Sequence, residues 1–224
     1  MGWVDDAESS RALHTAIDAG VRLIDTAPAY GAGHSEVVIG QALAALPAEV
    51  RGSVAVATRF GFRIDEERRT GGGTDVRPEA LGNECQASLR RLGVDALDLY
   101  QLHDGADTVA AAEDVVATCE ELLAEGKIRS FGTAQDDAET VAVFARSDRC
   151  VSVQTQVNVF GWTQATLGAA HAHGLAVLAR SPLAMGMPTA PSPAMSGWIR
   201  PTGTTSTPTR CRAGCAAWTP YGSC

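Results

Sequence analysis

Short apolar strings alternate with amphipathic helical stretches along most of this chain, and that alternation limits the fold more than any other feature. Residues 7–19 place Leu13 and Ile17 four apart on one helix face, with Ala12, Ala16 and Ala19 alongside, and Gly20 stops the helix. Residues 21–25 then read as a short strand and 35–46 as a helix with Val38, Ile39, Ala42 and Leu43 on one side. The same alternation predicts strands at 53–58, 96–103, 128–132, 151–155 and 175–179. It predicts helices at 78–92, 109–125, about 136–146 and 163–173, the first opened by an early proline. Strands this short and apolar, separated by helices, indicate a parallel α/β sheet covered by helices.

Two architectures share that order. A doubly wound sheet should carry a glycine-rich phosphate cradle after its first strand. The turn here reads Asp25-Thr26-Ala27-Pro28-Ala29-Tyr30-Gly31, which is no such cradle. A barrel instead draws its functional residues from the C-terminal ends of several strands. Polar residues stand at those ends: Asp25, Arg59, His103, Gln135 and Gln154. The expected fold is therefore a TIM-type (β/α)8 barrel, incomplete, with about six βα units.

Charge and composition narrow the function. A net charge of −8 argues against nucleic acid and anionic membrane surfaces, both of which need basic patches. No apolar run approaches the roughly 18–20 residues of a membrane span, and the acidic N-terminus shows no signal-peptide pattern. Cys85, Cys119 and Cys150 stand singly in regular segments, as reduced buried thiols do, and the six cysteines form no CxxC pair. The body, residues 1–187, reads as a cytoplasmic protein without a metal site. His171 and His173 read as a solvated helix end, and Gly71-Gly72-Gly73 after a charged run as a flexible loop, since no helix-opening Lys-Ser/Thr follows.

Residues 188–224 are a different text, without Asp, Glu, Lys, Leu or Val and without any period. They read as an irregular or disordered tail. A sharper expectation comes from GC-rich back-translation. In a shifted frame, Trp218-Thr219-Pro220-Tyr221-Gly222-Ser223 becomes a helix-like Asp-Ala-Val-Arg-Glu-Leu, which suggests a frameshifted remnant of a longer protein.

The polar residues at the strand ends suit one chemistry. Asp25 and Tyr30 follow one strand, Arg59 ends the next and His103 the third, so adjacent parallel strands bring all four to one mouth. Reducing a carbonyl needs a hydride donor, an acid for the developing alkoxide, and a polar pocket around that charge. A tyrosine serves as the acid when a nearby cation, held by a carboxylate, favours loss of its proton.

Several motifs resemble the aldo-keto reductase family. These are Gly20-Val21-Arg22-Leu23-Ile24-Asp25-Thr26-Ala27, Tyr30-Gly31, Ser35-Glu36 and Ser88-Leu89-Arg90-Arg91-Leu92-Gly93. Asp98-Leu99-Tyr100-Gln101-Leu102-His103 and Gly126-Lys127-Ile128-Arg129 follow in the family's order, and the likeness covers residues 2 to about 187. The resemblance implies NADPH-dependent reduction of aldehydes or ketones. Tyr30 would be the general acid, Asp25 the partner of the cation and His103 the group orienting the carbonyl. It assigns Gln154, with Asn158 nearby, to the nicotinamide side, Gln135 to the place of an amide there, and Ser181-Pro182-Leu183 to the cofactor pyrophosphate. The sequence departs from the pattern at Arg59, where the family has lysine, and at Ala134-Gln135, where it has Ser-Asn. The family's first strand and its last strand and helix are also not recognised, which implies two unpaired sheet edges and weak cofactor binding. A catalytically silent fragment or interaction subunit is the alternative.

Overall fold

The computed structural model describes residues 5–184, so the tail read at 188–224 lies outside the described residues. The first helix, α1 (Asp6–Asp18), is opened by Asp5, whose carboxylate accepts the Ala7 N–H at 2.9 Å. Such a side chain satisfies one of the orphan donors at a helix start. Next come β1 (Leu23–Asp25), α2 (His34–Ala44), the short α3 (Ala48–Gly52) and β2 (Ala55–Phe60). An antiparallel hairpin, β3 (Phe62–Asp65) and β4 (Thr70–Thr74), leads into α4 (Pro78–Leu92). The chain continues through β5 (Leu99–Leu102), α5 (Val109–Ala124), β6 (Phe131–Thr133), α6 (Ala138–Phe144) and β7 (Cys150–Asn158). The last elements among the described residues are β8 (Gly161–Trp162), α7 (Gln164–Ala172) and β9 (Ala176–Arg180).

All six expected strands are present and parallel, in the order β1-β2-β5-β6-β7-β9. The fold is α/β, a curled parallel half-barrel covered by helices. Its curvature is visible in one contact: Gln154 on β7 donates to Asp25 at the end of β1 at 3.1 Å, although three strands lie between them in the sheet. A flat sheet would hold those strands well over 10 Å apart, at about 4.8 Å per step. Among the described residues β1 pairs only with β2, and β9 only with β7.

The core lies between sheet and helices, where Ile17, Leu43, Leu81, Leu89, Val115 and Phe144 pack with strand residues such as Val56, Tyr100 and Phe131. Two family-like motifs prove to be one buried polar clamp. Glu36 on α2 is fully buried, accepts the Thr58 hydroxyl at 2.7 Å and pairs with Arg91 Nε at 2.6 Å. The same guanidinium reaches Ser88 at 3.1 Å and Glu66 at 2.5 Å. This clamp ties α2, β2, α4 and the hairpin turn together. Gly40 allows the close approach of α2 and α4, because a Cβ there would come within 2.7 Å of the carbonyl oxygens of Arg91 and Leu92.

Gly71-Gly72-Gly73 corrects one expectation. These residues belong to β4, not to a free loop. Glycine offers no side-chain pattern to read, and the strand arises from backbone pairing with β3, including Ile64 opposite Gly71. The three body cysteines are buried and free, and burial raises their thiol pKa values, to about 12 at Cys85 and about 11 at Cys150. Among the described residues no helix is long and apolar enough to cross a membrane.

Candidate active site

The strand register brings Asp25, Tyr30 and Arg59 into direct contact. Ala57 lies opposite Asp25 and Gln101 opposite Arg59, so consecutive strands advance their C-terminal ends toward one mouth. Arg59 is almost wholly buried. Its Nη2 pairs with Asp25 Oδ2, and its Nη1 donates to the Tyr30 hydroxyl oxygen at 2.5 Å. Asp25 is held from its other oxygen by Gln154. A guanidinium has donors only. Tyr30 therefore cannot give its proton to Arg59, and its O–H is left to donate elsewhere.

His103 follows β5, its N–H bonded to the Phe60 carbonyl at 2.8 Å. Its ring stands edge-on to Tyr30 with centroids 6.5 Å apart, and edge-on to Phe62 at 4.6 Å. Burial, the positive charge of Arg59 and, less strongly, that of Arg180 push its pKa down to about 4, with Asp104 opposing. The imidazole is thus neutral at neutral pH.

The remaining residues expected here are spread around the rim. Gln135 lies two residues past β6 and donates weakly to Asp104 at 3.4 Å, while its buried Oε1 has no partner among the described residues. Ser181 follows β9 with a left-handed backbone, φ +54°, and its carbonyl accepts from Asn158 at 3.2 Å. Leu183 is largely exposed. Of the catalytic and cofactor candidates, Asp25, Arg59, Tyr30 and Gln154 form one bonded chain with His103 facing it. Gln135, Ser181 and Leu183 do not join it.

A second carboxylate–guanidinium pair at the mouth was not read from the sequence. Asp136, just after Gln135, pairs with Arg180 at the end of β9 and accepts the Thr155 hydroxyl and, at 3.4 Å, the Gln156 N–H. The available signal was positional: both residues adjoin candidates that were recognised. Another omission is Phe62, which seats the His103 ring from the first residue of the hairpin.

The chain is similar to known proteins in sequence and fold. The model of the aldo/keto reductase family fits residues 2–195. The chain belongs to the aldo/keto reductase family. It is 31% identical over 199 residues to the NADH-specific methylglyoxal reductase of Escherichia coli, covering 83% of this chain and 60% of that protein. An aldo-keto reductase of Bacillus subtilis is 30% identical over 159 residues, or 71% of this chain and 46% of its own. The chain thus spans about half to three-fifths of these relatives. The structure of a glycerol dehydrogenase from Gluconobacter oxydans superposes with a TM-score of 0.74 at 32% identity, over 92% of this chain and 61% of that one. An aldo-keto reductase from Klebsiella pneumoniae in complex with NADPH gives 0.66 at 29% identity, over 81% and 60%. These matches show the barrel family and its oxidoreductase character, with the described sheet as part of that barrel.

Proposed function

We propose that this chain reduces aldehydes or ketones to alcohols with NADP(H), and that Tyr30 delivers the proton. The observation that carries the reading is the 2.5 Å hydrogen bond from buried Arg59 to the Tyr30 oxygen, with Arg59 itself anchored on Asp25. The relatives support carbonyl reduction as a class, and the Klebsiella complex supports NADPH as the nucleotide. The Escherichia coli relative is NADH-specific, so both nucleotides belong in the test.

The residues at the rim fit a nicotinamide. The buried, unpartnered Gln135 Oε1 is an acceptor of the kind a carboxamide NH2 satisfies. Gln135 and the free carbonyl of Gln154 would hold that end, and Ser181 and Leu183 the pyrophosphate. When bound, the cofactor supplies the hydride.

The protein's own contribution follows from the bonds around Tyr30. As charge develops on the substrate oxygen, the Tyr30 O–H bond breaks and the proton passes to that oxygen. The electron pair left on Tyr30 faces the Arg59 Nη1–H, so the new negative charge forms against a preorganised donor. Asp25 and Gln154 keep that donor in place. Neutral His103 orients the carbonyl by donating its ring N–H. Sharing a proton would need an imidazolium, which its low pKa disfavours.

The test is absorbance at the nicotinamide band of purified protein with NADPH or NADH, with and without a simple aldehyde. Aldehyde-dependent oxidation of either nucleotide is expected. A folded chain that binds the nucleotide and never oxidises it would instead support a silent fragment.

A further inference from the structure

Beside the Tyr30 loop lies a cavity of about 400 Å³, walled by Ala29, Ala32, Phe62, Arg63, Ile64 and Arg69 and floored by the glycines of β4. It adjoins the candidate active site on two sides. Ala29 and Gly31, both in its lining, flank Tyr30, and Phe62 is the ring that seats His103. Its lining residues follow β1 and β2 in the chain, whereas Ser181 and Leu183 follow β9.

We propose that this cavity holds the far end of the carbonyl substrate, and that it selects an anionic group there, a carboxylate or a phosphate. The inference rests on the reading of Tyr30 as proton donor. Its basis is charge. The acids of the hairpin and its flank are mostly matched by other arginines: Asp65 with Arg68 at 3.4 Å, Glu66 with Arg91 at 2.5 Å, and Asp75 with Arg77 at 2.7 Å. Among the described residues Arg63 and Arg69 make no ion pair and no side-chain hydrogen bond, and exposed Glu67 is the hairpin acid left over. Two guanidinium groups without a bonded partner therefore line one concavity in a protein of net charge −8; Arg63 acts on Asp75 only at longer range, and Glu67 is one acid against two arginines.

The floor makes room for them. A Cβ at Gly73 would lie 3.1 Å from Arg63 Nη2, so a glycine at this point lets the guanidinium settle over the strand. Planar forks of this kind recognise carboxylate and phosphate oxygens in pairs. The cavity is within the range of small-ligand pockets, and its phenylalanine, isoleucine and alanine walls suit a short carbon chain between carbonyl and anion. The resulting substrate is a small aldehyde or ketone with an acidic group a few carbons away.

The experiment compares kcat/KM for 5-oxopentanoate and pentanal, and for glyceraldehyde 3-phosphate and glyceraldehyde, in the wild-type chain and in Arg63→Gln/Arg69→Gln. Both positions are exposed, so the double variant should fold. We expect the charged member of at least one pair to be preferred about tenfold at low ionic strength, shrinking as salt screens the half-open site. The double variant should bring that ratio close to one, while Arg51→Gln, an exposed arginine on α3, leaves it where it was. The pair that responds tells carboxylate from phosphate. No preference in the wild type, or a preference that survives the double variant, overturns the proposal. Titration with glutarate and glycerol 3-phosphate separates this failure from that of the Tyr30 reading. If no aldehyde turns over, binding of either anion that the double variant abolishes still supports the subsite. Absent or unchanged binding of both refutes it.

Discussion

Replacing Glu84 with glutamine should change how stability depends on pH. Glu84 sits on α4 and accepts the Gly61 N–H at 3.0 Å with one oxygen, while the other is buried with no partner among the described residues. Removal from water raises its pKa from 4.5 to about 7; Glu36 and Asp75 add to the rise, and the Gly61 bond and Arg91 oppose it. The folded value exceeds the unfolded one, so the folded state holds the proton more tightly. Stability therefore falls as pH rises from about 4.5 to 7, and above 7 the whole cost is present. At about 1.4 kcal/mol per tenfold in proton affinity, that cost is about 3 kcal/mol, of which about 2–3 kcal/mol accrues between pH 5 and pH 8. Glutamine keeps an acceptor for Gly61 and never ionises, at the expense of about 1–2 kcal/mol for an amide donor without a partner. Urea unfolding at pH 5 and pH 8 reads the difference. The variant should gain about 2–3 kcal/mol on the wild type between the two pH values. A variant that differs from the wild type by the same amount at both would refute the reasoning.

Three other outcomes follow from the same structure. Gly40→Ala forces a Cβ against two backbone carbonyls of the α4 terminus and should cost about 1–3 kcal/mol, measured by denaturant midpoint. Glu36→Gln leaves the buried Arg91 guanidinium with the exposed Glu66 as its one carboxylate beside the Ser88 hydroxyl, and should cost about 3 kcal/mol by the same measurement. His103, depressed to about 4, should add no inflection to the pH dependence of kcat/KM between pH 5.5 and 8.5; loss of rate should set in only as acid protonates the ring near its own value. A proton titration of that ring near 6.5 by NMR would contradict the assignment.

Much of this architecture was legible in the sequence because strand and helix differ in hydrophobic period. Where the period is weak, the reading blurred. Residues 128–132 read as a strand, but Ile128 makes only an isolated bridge to Leu97 and the ladder begins at Phe131. The β3–β4 hairpin was hidden because its second strand, Thr70–Thr74, is mostly glycine. Of the site, Asp25, Tyr30, Arg59 and His103 could be named from their places at a strand end or in the loop beyond it, and Gln154 from its motif, although the structure sets it midway along β7. The partners that hold the site together were not legible, because they are remote in the chain. Glu36 meets Arg91 across 55 residues, and Asp136 meets Arg180 across 44. No local pattern announces such pairs. Arg59 is the instructive case: as a departure from the family lysine it promised altered geometry, and the structure shows it bonded to both Asp25 and Tyr30 at once.

The rate of aldehyde-dependent NADPH oxidation by Tyr30→Phe, set against the wild type at matched folding and nucleotide saturation, tests the central claim most directly. Removing the hydroxyl leaves Arg59 paired with Asp25, and takes away the proton donor together with the acceptor of the Arg59 Nη1–H. A loss of about 10²–10⁴-fold in kcat is expected, the range a positioned general acid contributes. Equal rates in the two proteins would contradict the assignment of Tyr30 and, with it, the mechanism built on Arg59.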